Sequence, residues 1–166
     1  TMNTPVEAIE TVYPIRFLKY ELRKNSGGAG KWRGGVGLER SWMLLASSAT
    51  LSVLAERTKI APWGLYGGKS GAKGEYYIIK PNGKRMKLKS KCTVKVEKGD
   101  IFVVKTPGGG GYGNPMEREP KLVLHDVLNG LVPLEAAKKD YGVAIDPVIM
   151  KIDWKSTQLL RAKQKT

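Results

Sequence analysis

Residues 106–113 read Thr-Pro-Gly-Gly-Gly-Gly-Tyr-Gly, a run that offers chemistry through backbone more than through side chains. Consecutive glycines are costly to order, so a chain keeps them where side chains would obstruct something. Two readings fit. Successive N–H groups of Gly108, Gly109, Gly110 and Gly111, with Tyr112 beside them, can form a nest that contacts a substrate or phosphate. Alternatively, two backbones cross here at a distance only glycine permits. The pattern Gly108-x-Gly110-x-x-Gly113 follows a strand, as a dinucleotide fingerprint would. Asn114-Pro115 intervenes before any helix, however, and no βαβ unit surrounds it, so that reading is set aside.

Arg57 precedes Pro62-Trp63-Gly64-Leu65-Tyr66-Gly67-Gly68. A guanidinium near aromatics and a glycine loop can grip a carboxylate or phosphate bidentately, or can simply pin the loop. Gly68-Lys69-Ser70 copies the end of a P-loop, but Trp63 stands where that motif needs glycine and no helix follows. The single histidine, His125, falls off the apolar stripe of its helix and has no partners for a metal site or relay. The single cysteine, Cys92, occupies an apolar place in an alternating segment and reads as a buried, inert thiol. These residues do not assemble a complete active site.

The net charge of +14 raises nucleic-acid binding as an option. The distribution argues against it. Lys87, Lys89, Lys91 and Lys95 recur at even spacings opposite Leu88, Cys92, Val94 and Val96, which describes the solvated face of a sheet. Aromatic residues that would stack on bases are missing from 80–98. No apolar run approaches a membrane span and the first residues do not read as a signal peptide, so the expectation is a cytoplasmic protein without a membrane partner.

The elements that must position these residues are mainly β. Strands are expected near 18–22, 38–45, 50–55, 75–80, 84–88, 91–96 and 101–105. Pro81-Asn82-Gly83 marks a hairpin through left-handed backbone at Asn and Gly, and Ala46-Ser47-Ser48 is short enough for another. Alternation in 18–23 groups Leu18, Tyr20 and Leu22 on one side of a half-buried strand. Helical character follows residue 115: Leu124, Val127, Leu128 and Leu131 mark one face, Pro133 to Gly142 a second helix, and Asp153 caps a third. The expected fold is mainly β, an antiparallel sandwich or barrel-like domain over 1–115, with a small C-terminal α-helical appendage over 116–166.

Several stretches, in order, resemble the hydantoinase B/oxoprolinase family: Asn3-Thr4-Pro5-Val6-Glu7, Ser26-Gly27-Gly28-Ala29-Gly30, Arg33-Gly34-Gly35, Glu56-Arg57, Pro62-Trp63-Gly64-Leu65, Thr106–Gly113 and Asp140-Tyr141-Gly142-Val143. The resemblance implies the C-terminal region of a hydantoinase B-type polypeptide, with the metal-ligand residues upstream. It implies partners: a hydantoinase A-like subunit, the missing N-terminal B portion and a small cyclic amide substrate. It implies no cofactor bound by this chain, with ATP and a divalent metal in the whole complex. The A-type partner would phosphorylate the amide carbonyl oxygen, and the B-type polypeptide would assist ring opening. An acetone- or acetophenone-carboxylase-like complex is the alternative within the resemblance, and a basic β module binding nucleic acid is the alternative outside it.

Overall fold

The computed structural model describes residues 3–163. Internal packing gathers the chain into two compact units. One takes the residues up to Glu21, Leu38–Lys59 and Gly74–Thr106; the other takes Leu22–Gly37, Ile60–Lys73 and the residues from Pro107 on.

The first unit carries the β structure: β1 (Ile15–Leu22), β2 (Leu38–Leu44), β3 (Ser48–Leu54), β4 (Glu75–Ile79), β5 (Arg85–Lys87), β6 (Lys91–Glu97) and β7 (Ile101–Lys105). Five strands form one sheet in the order β1-β2-β7-β4-β5, and β3 pairs with β6 in a second. The pairings β2–β7, β4–β7, β4–β5 and β3–β6 are antiparallel. Leu44, Val53, Ile78, Val96, Phe102 and Val104 from both sheets share one core, which makes the sandwich.

One expected hairpin is absent, for a reason that shapes the unit. Residues 46–48 do not fold β3 back onto β2, because β2 pairs with β7 while β3 pairs with β6. The two connections cross together. Leu44 N–H donates to the Asp100 carbonyl (3.0 Å), Gly99 N–H to the Leu44 carbonyl (2.9 Å) and Lys98 N–H to the Ser47 carbonyl (3.1 Å). Between the pairs Met43–Ile101 and Ser48–Glu97 one strand advances five residues and the other four. That extra residue acts as a bulge and bends a single long ribbon from one sheet into the other. The buried Asp100 carboxylate pins the bend, accepting from Lys80 Nζ (2.7 Å) and Glu97 N–H (2.9 Å). The hydrogen bond with Asp100 raises the Lys80 pKa.

The β4–β5 hairpin forms where Pro81-Asn82-Gly83 predicts it, with different turn chemistry. Gly83 takes a left-handed φ of +80°, whereas Asn82 does not. The turn closes through Gly83 N–H to the Lys80 carbonyl (2.8 Å). Strand β6 alternates as read: Lys91, Thr93 and Lys95 are exposed, while Cys92, Val94 and Val96 turn inward. In β1 the face is reversed. Leu18, Tyr20 and Leu22 are exposed and Ile15 and Phe17 half-buried, because Phe17 packs on Trp42 with ring centroids 5.6 Å apart. A short helix that the sequence did not announce, α1 (Val6–Val12), buries none of its residues; its Glu10 carboxylate accepts from Phe17 N–H (2.5 Å).

The second unit holds the glycine-rich loops and three helices, α2 (Pro120–Leu128), α3 (Leu134–Tyr141) and α4 (Trp154–Ala162). Val123, Val132, Ala136, Ala137, Tyr141 and Val143 form its core with Ala29 of the first glycine loop. The stops and caps follow local chemistry. Gly142 ends α3 in the left-handed region at φ +62°, and the Asp153 side chain accepts from Ser156 N–H at the start of α4. Helix α2 is phased one residue away from the expected stripe: Val123 and Asp126 are buried, Leu128 is exposed, and Leu131 lies past the helix end. Among the described residues no helix is long and apolar enough to cross a membrane.

Candidate functional site

The second unit is organised by backbone crossings. The Ser26 and Ala29 carbonyls accept from Ala72 N–H (2.8 Å) and Lys69 N–H (2.7 Å); in turn the Ala72 and Lys69 carbonyls accept from Gly108 N–H (3.1 Å) and Gly111 N–H (2.9 Å). Each contact repeats after three residues along every segment. Three residues per turn, in extended chains outside any strand, is the period of a polyproline II helix, whose backbone groups point outward to neighbours. Gly28 N–H donates to the Gly109 carbonyl, and Gly109 N–H to the Gly35 carbonyl, both at 2.8 Å. Segments around 26–35, 62–72 and 107–113 therefore make a bundle held by hydrogen bonds from one segment to the next.

Such packing leaves no room for side chains. A Cβ on Gly108 would lie 1.8 Å from the Ser26 carbonyl oxygen, one on Gly110 1.8 Å from the Trp63 oxygen and one on Gly111 2.2 Å from the Ala29 oxygen. Gly109 is looser, its nearest atom being Gly35 N at 3.2 Å. The N–H groups of Gly108, Gly109 and Gly111 already donate to carbonyls. The backbone-crossing reading thus accounts for why the run is glycine, and an anion nest would have to compete with those bonds.

Side-chain chemistry gathers at Tyr112. It forms isolated bridges with Trp32 and Leu65, and its ring lies 5.1 Å from that of Tyr66. All four are exposed: Trp32 60%, Leu65 52%, Tyr66 78% and Tyr112 49%. Leu65–Gly68 is a tight turn closed by Gly68 N–H to the Leu65 carbonyl (2.9 Å), with φ +50° at Tyr66 and +89° at Gly67. Positive φ at both central positions is the type I′ geometry, which normally selects Asn, Asp or Gly. A tyrosine there holds its ring outward at a conformational cost.

The second unit also holds a buried charge cluster that sequence reading missed. The Asp126 carboxylate accepts from Arg33 Nε (3.1 Å) and Nη2 (3.3 Å) and from Arg118 Nη2 (2.9 Å). Arg33, in the glycine loop, also donates to the Gly34 carbonyl, and Arg118 donates to the Lys31 carbonyl, so Asp126 and Arg118 are both tied to that loop. Arg161 donates to the Tyr141 and Arg118 carbonyls, and burial lowers its pKa. Burial also pushes the Tyr141 hydroxyl up to about 12. The signal was a lone Asp126 three residues after Val123, on what proves to be the inward face.

The other singled-out residues are dispersed. Arg57 belongs to the first unit and Gly108–Tyr112 to the second. Arg57 is exposed, with φ +57°, and its carbonyl accepts from Gly74 N–H (3.0 Å). Lys69, in the P-loop look-alike, places its N–H in the glycine bundle and its Nζ on Asp140 (2.8 Å). His125 is exposed and its carbonyl accepts from Asn129. Cys92 is half-buried, its thiol directed at the Lys89 carbonyl (3.4 Å). In the first unit, a cavity of about 170 Å³ is lined chiefly by apolar groups, among them Trp42, Leu51, Ile78 and Phe102. Among the described residues, no three of His, Cys, Asp and Glu gather as a metal site requires.

Comparison with known proteins follows this architecture closely. The family model for hydantoinase B/oxoprolinase matches residues 1–115. A protein of Methanocaldococcus jannaschii is 50% identical over 144 residues, 87% of this chain and 25% of its own length. A Pseudomonas protein named as the B component of a D-/L-hydantoinase is 42% identical over 163 residues, 97% of this chain and 27% of its own. The crystal structure of the ATP-dependent caprolactamase from Pseudomonas jessenii superposes with a TM-score of 0.85 at 30% identity, over 97% of this chain and 28% of that one. The chain spans about a quarter of the length of these relatives. It belongs to the hydantoinase B/oxoprolinase family.

Proposed function

We propose that this chain serves as the C-terminal domain, or a separately encoded subunit, of an ATP-dependent hydrolase of cyclic amides of the hydantoinase/5-oxoprolinase type. The observation that carries this reading is the near-complete match of the chain to one part of a hydantoinase B component and of a caprolactamase. An amide carbonyl is a poor electrophile with a poor leaving group. ATP supplies a phosphoryl group that turns the carbonyl oxygen into a leaving group. A hydantoinase A-like subunit would perform that transfer, and the rest of the B-type polypeptide would provide the metal ligands, which the described residues do not assemble. This chain's part is a backbone-built scaffold presenting the surface around Tyr112, with Arg57 as a candidate contact for an anionic group.

The test is reconstitution. The chain, a hydantoinase A-type subunit and the remainder of a B-type polypeptide are combined, and ADP release is followed with hydantoin, 5-oxoproline or caprolactam. Amide-dependent ADP release that requires all three supports the proposal. Ring opening by the isolated chain, or an assembled complex whose ADP release ignores every cyclic amide, would reject it. Bicarbonate and acetone supplied in place of the amide separate a carboxylase from a hydrolase. Filter binding to duplex and single-stranded oligonucleotides across a salt series checks the basic-module alternative, since phosphate contacts give a steep slope.

A further inference from the structure

We infer that the exposed surface formed by Trp32, Leu65, Tyr66 and Tyr112 is the docking face for the remaining portion of a hydantoinase B-type polypeptide; this deepens the functional reading above and rests on it. Three observations carry it. First, the four exposed residues are neighbours in the backbone: Trp32 and Leu65 both bridge Tyr112, and the Tyr66 ring lies 5.1 Å from that of Tyr112. Large apolar groups massed on a surface mark an interaction site, and Trp and Tyr are the side chains that most often anchor one. Second, the patch stands on a rigid base. Tyr112 follows the glycine run directly, with its N–H on the Trp32 carbonyl (2.9 Å), and Gly113 N–H reaches the Leu65 carbonyl (2.9 Å). The backbone beneath the patch is thus already ordered, which lowers the cost of ordering it on binding. Third, the chain matches parts of polypeptides about three and a half times as long, of which it covers 25–28%. The occupant of the face is that other portion of the B-type polypeptide.

Tyr66 makes the inference testable without confusing it with stability. At φ +50° a tyrosine is strained, whereas asparagine accepts this backbone readily. Tyr66→Asn should therefore leave the melting temperature equal or higher. If the ring only covers Tyr112, binding should not change. If the ring is an anchor, affinity for the B-type remainder should fall at least tenfold. The probe is the remainder of the B-type polypeptide co-expressed with the full chain, with affinity measured by calorimetry or by salt-controlled co-purification. Trp32→Ser is the second variant, placed on the opposite side of Tyr112. Loss of binding in both variants with unchanged melting is the expected result. Wild-type binding that both variants retain overturns the docking face while leaving the proposed function intact. Absence of wild-type binding, in a mixture that nonetheless shows amide-dependent ADP release, overturns the docking face alone. Absence of both overturns the functional reading as well.

Discussion

Asp126→Asn is the sharpest test of how the second unit holds together. The carboxylate is about 5% exposed and faces two guanidiniums, Arg33 at 15% and Arg118 at 10%. One negative charge thus serves two positive ones, and among the described residues Arg118 Nε finds no hydrogen-bond partner in its buried position. Asparagine keeps the size and one acceptor oxygen but removes the anion that both guanidiniums share. Removing one partner of a buried charge group costs roughly 3–5 kcal/mol, because the others are left uncompensated. At about 2–4 °C per kcal/mol for a chain of this size, the melting temperature should drop by about 6–20 °C. Arg118→Met should cost less, roughly 1–2 kcal/mol. It loses the bonds to Asp126 and the Lys31 carbonyl but leaves Arg33 and Asp126 as a neutral pair and removes the unpartnered Nε. Thermal unfolding of the three proteins, followed by circular dichroism, gives both the size and the order. A drop below about 2 °C for Asp126→Asn, or a larger loss for Arg118→Met, would refute the account of the cluster.

Further outcomes follow from the same geometry. Gly110→Ala places a Cβ against the Trp63 carbonyl and should cost about 3 kcal/mol or more, whereas Gly35→Ala, with nothing within 4 Å, should be neutral or stabilising by ~0.4–1 kcal/mol; paired urea titrations decide. Tyr141 titrates near pH 10 when unfolded and about 12 when folded, so its contribution is intact below pH 10 and lost as pH rises toward 12. The loss is about 1.4 kcal/mol per pH unit, and Tyr141→Phe should flatten the alkaline limb of the stability profile by that amount relative to wild type. A truncation ending at Gly113 removes the helices that pack on Ala29; it should show little helical signal, and amide exchange should report loss of protection at Gly28, Lys69 and Gly111.

Local signals carried the strands well and their partnerships badly. Alternation in Lys91–Val96 is read correctly because a lysine-lined solvent face and an apolar core face leave one arrangement. A short Ala46-Ser47-Ser48 link looks like a hairpin because link length is local, whereas the one-residue offset that accompanies the passage of β2 and β3 into different sheets exists only in their pairing with β7 and β6. Phase in α2 failed similarly. Leu124, Leu128 and Leu131 are more hydrophobic than Asp126, yet Asp126 is inward because Arg33 and Arg118 meet it there. Those arginines lie 93 and 8 residues away in sequence, so no window of local periodicity contains the full set.

The glycine run shows the same limit from the other side. Sequence establishes that side chains are excluded at Gly108–Gly111 but not by what, since a ligand and another backbone exclude a Cβ equally. The period-three bonds to Ala72 and Lys69, and from Gly28 to Gly109, name the excluding partner as backbone. This also explains how so entropically expensive a segment persists. Each net hydrogen bond contributes only about 1 kcal/mol, but buried N–H and C=O groups left unpaired would cost more, so a mutually paired bundle is held together by the penalty of opening it. Ala29 couples the bundle to the helical core, and Asp126 ties both to Arg33. The large side chains that this scaffold leaves exposed, Trp32, Trp63, Leu65, Tyr66 and Tyr112 among them, rise from a backbone whose course the paired bonds fix.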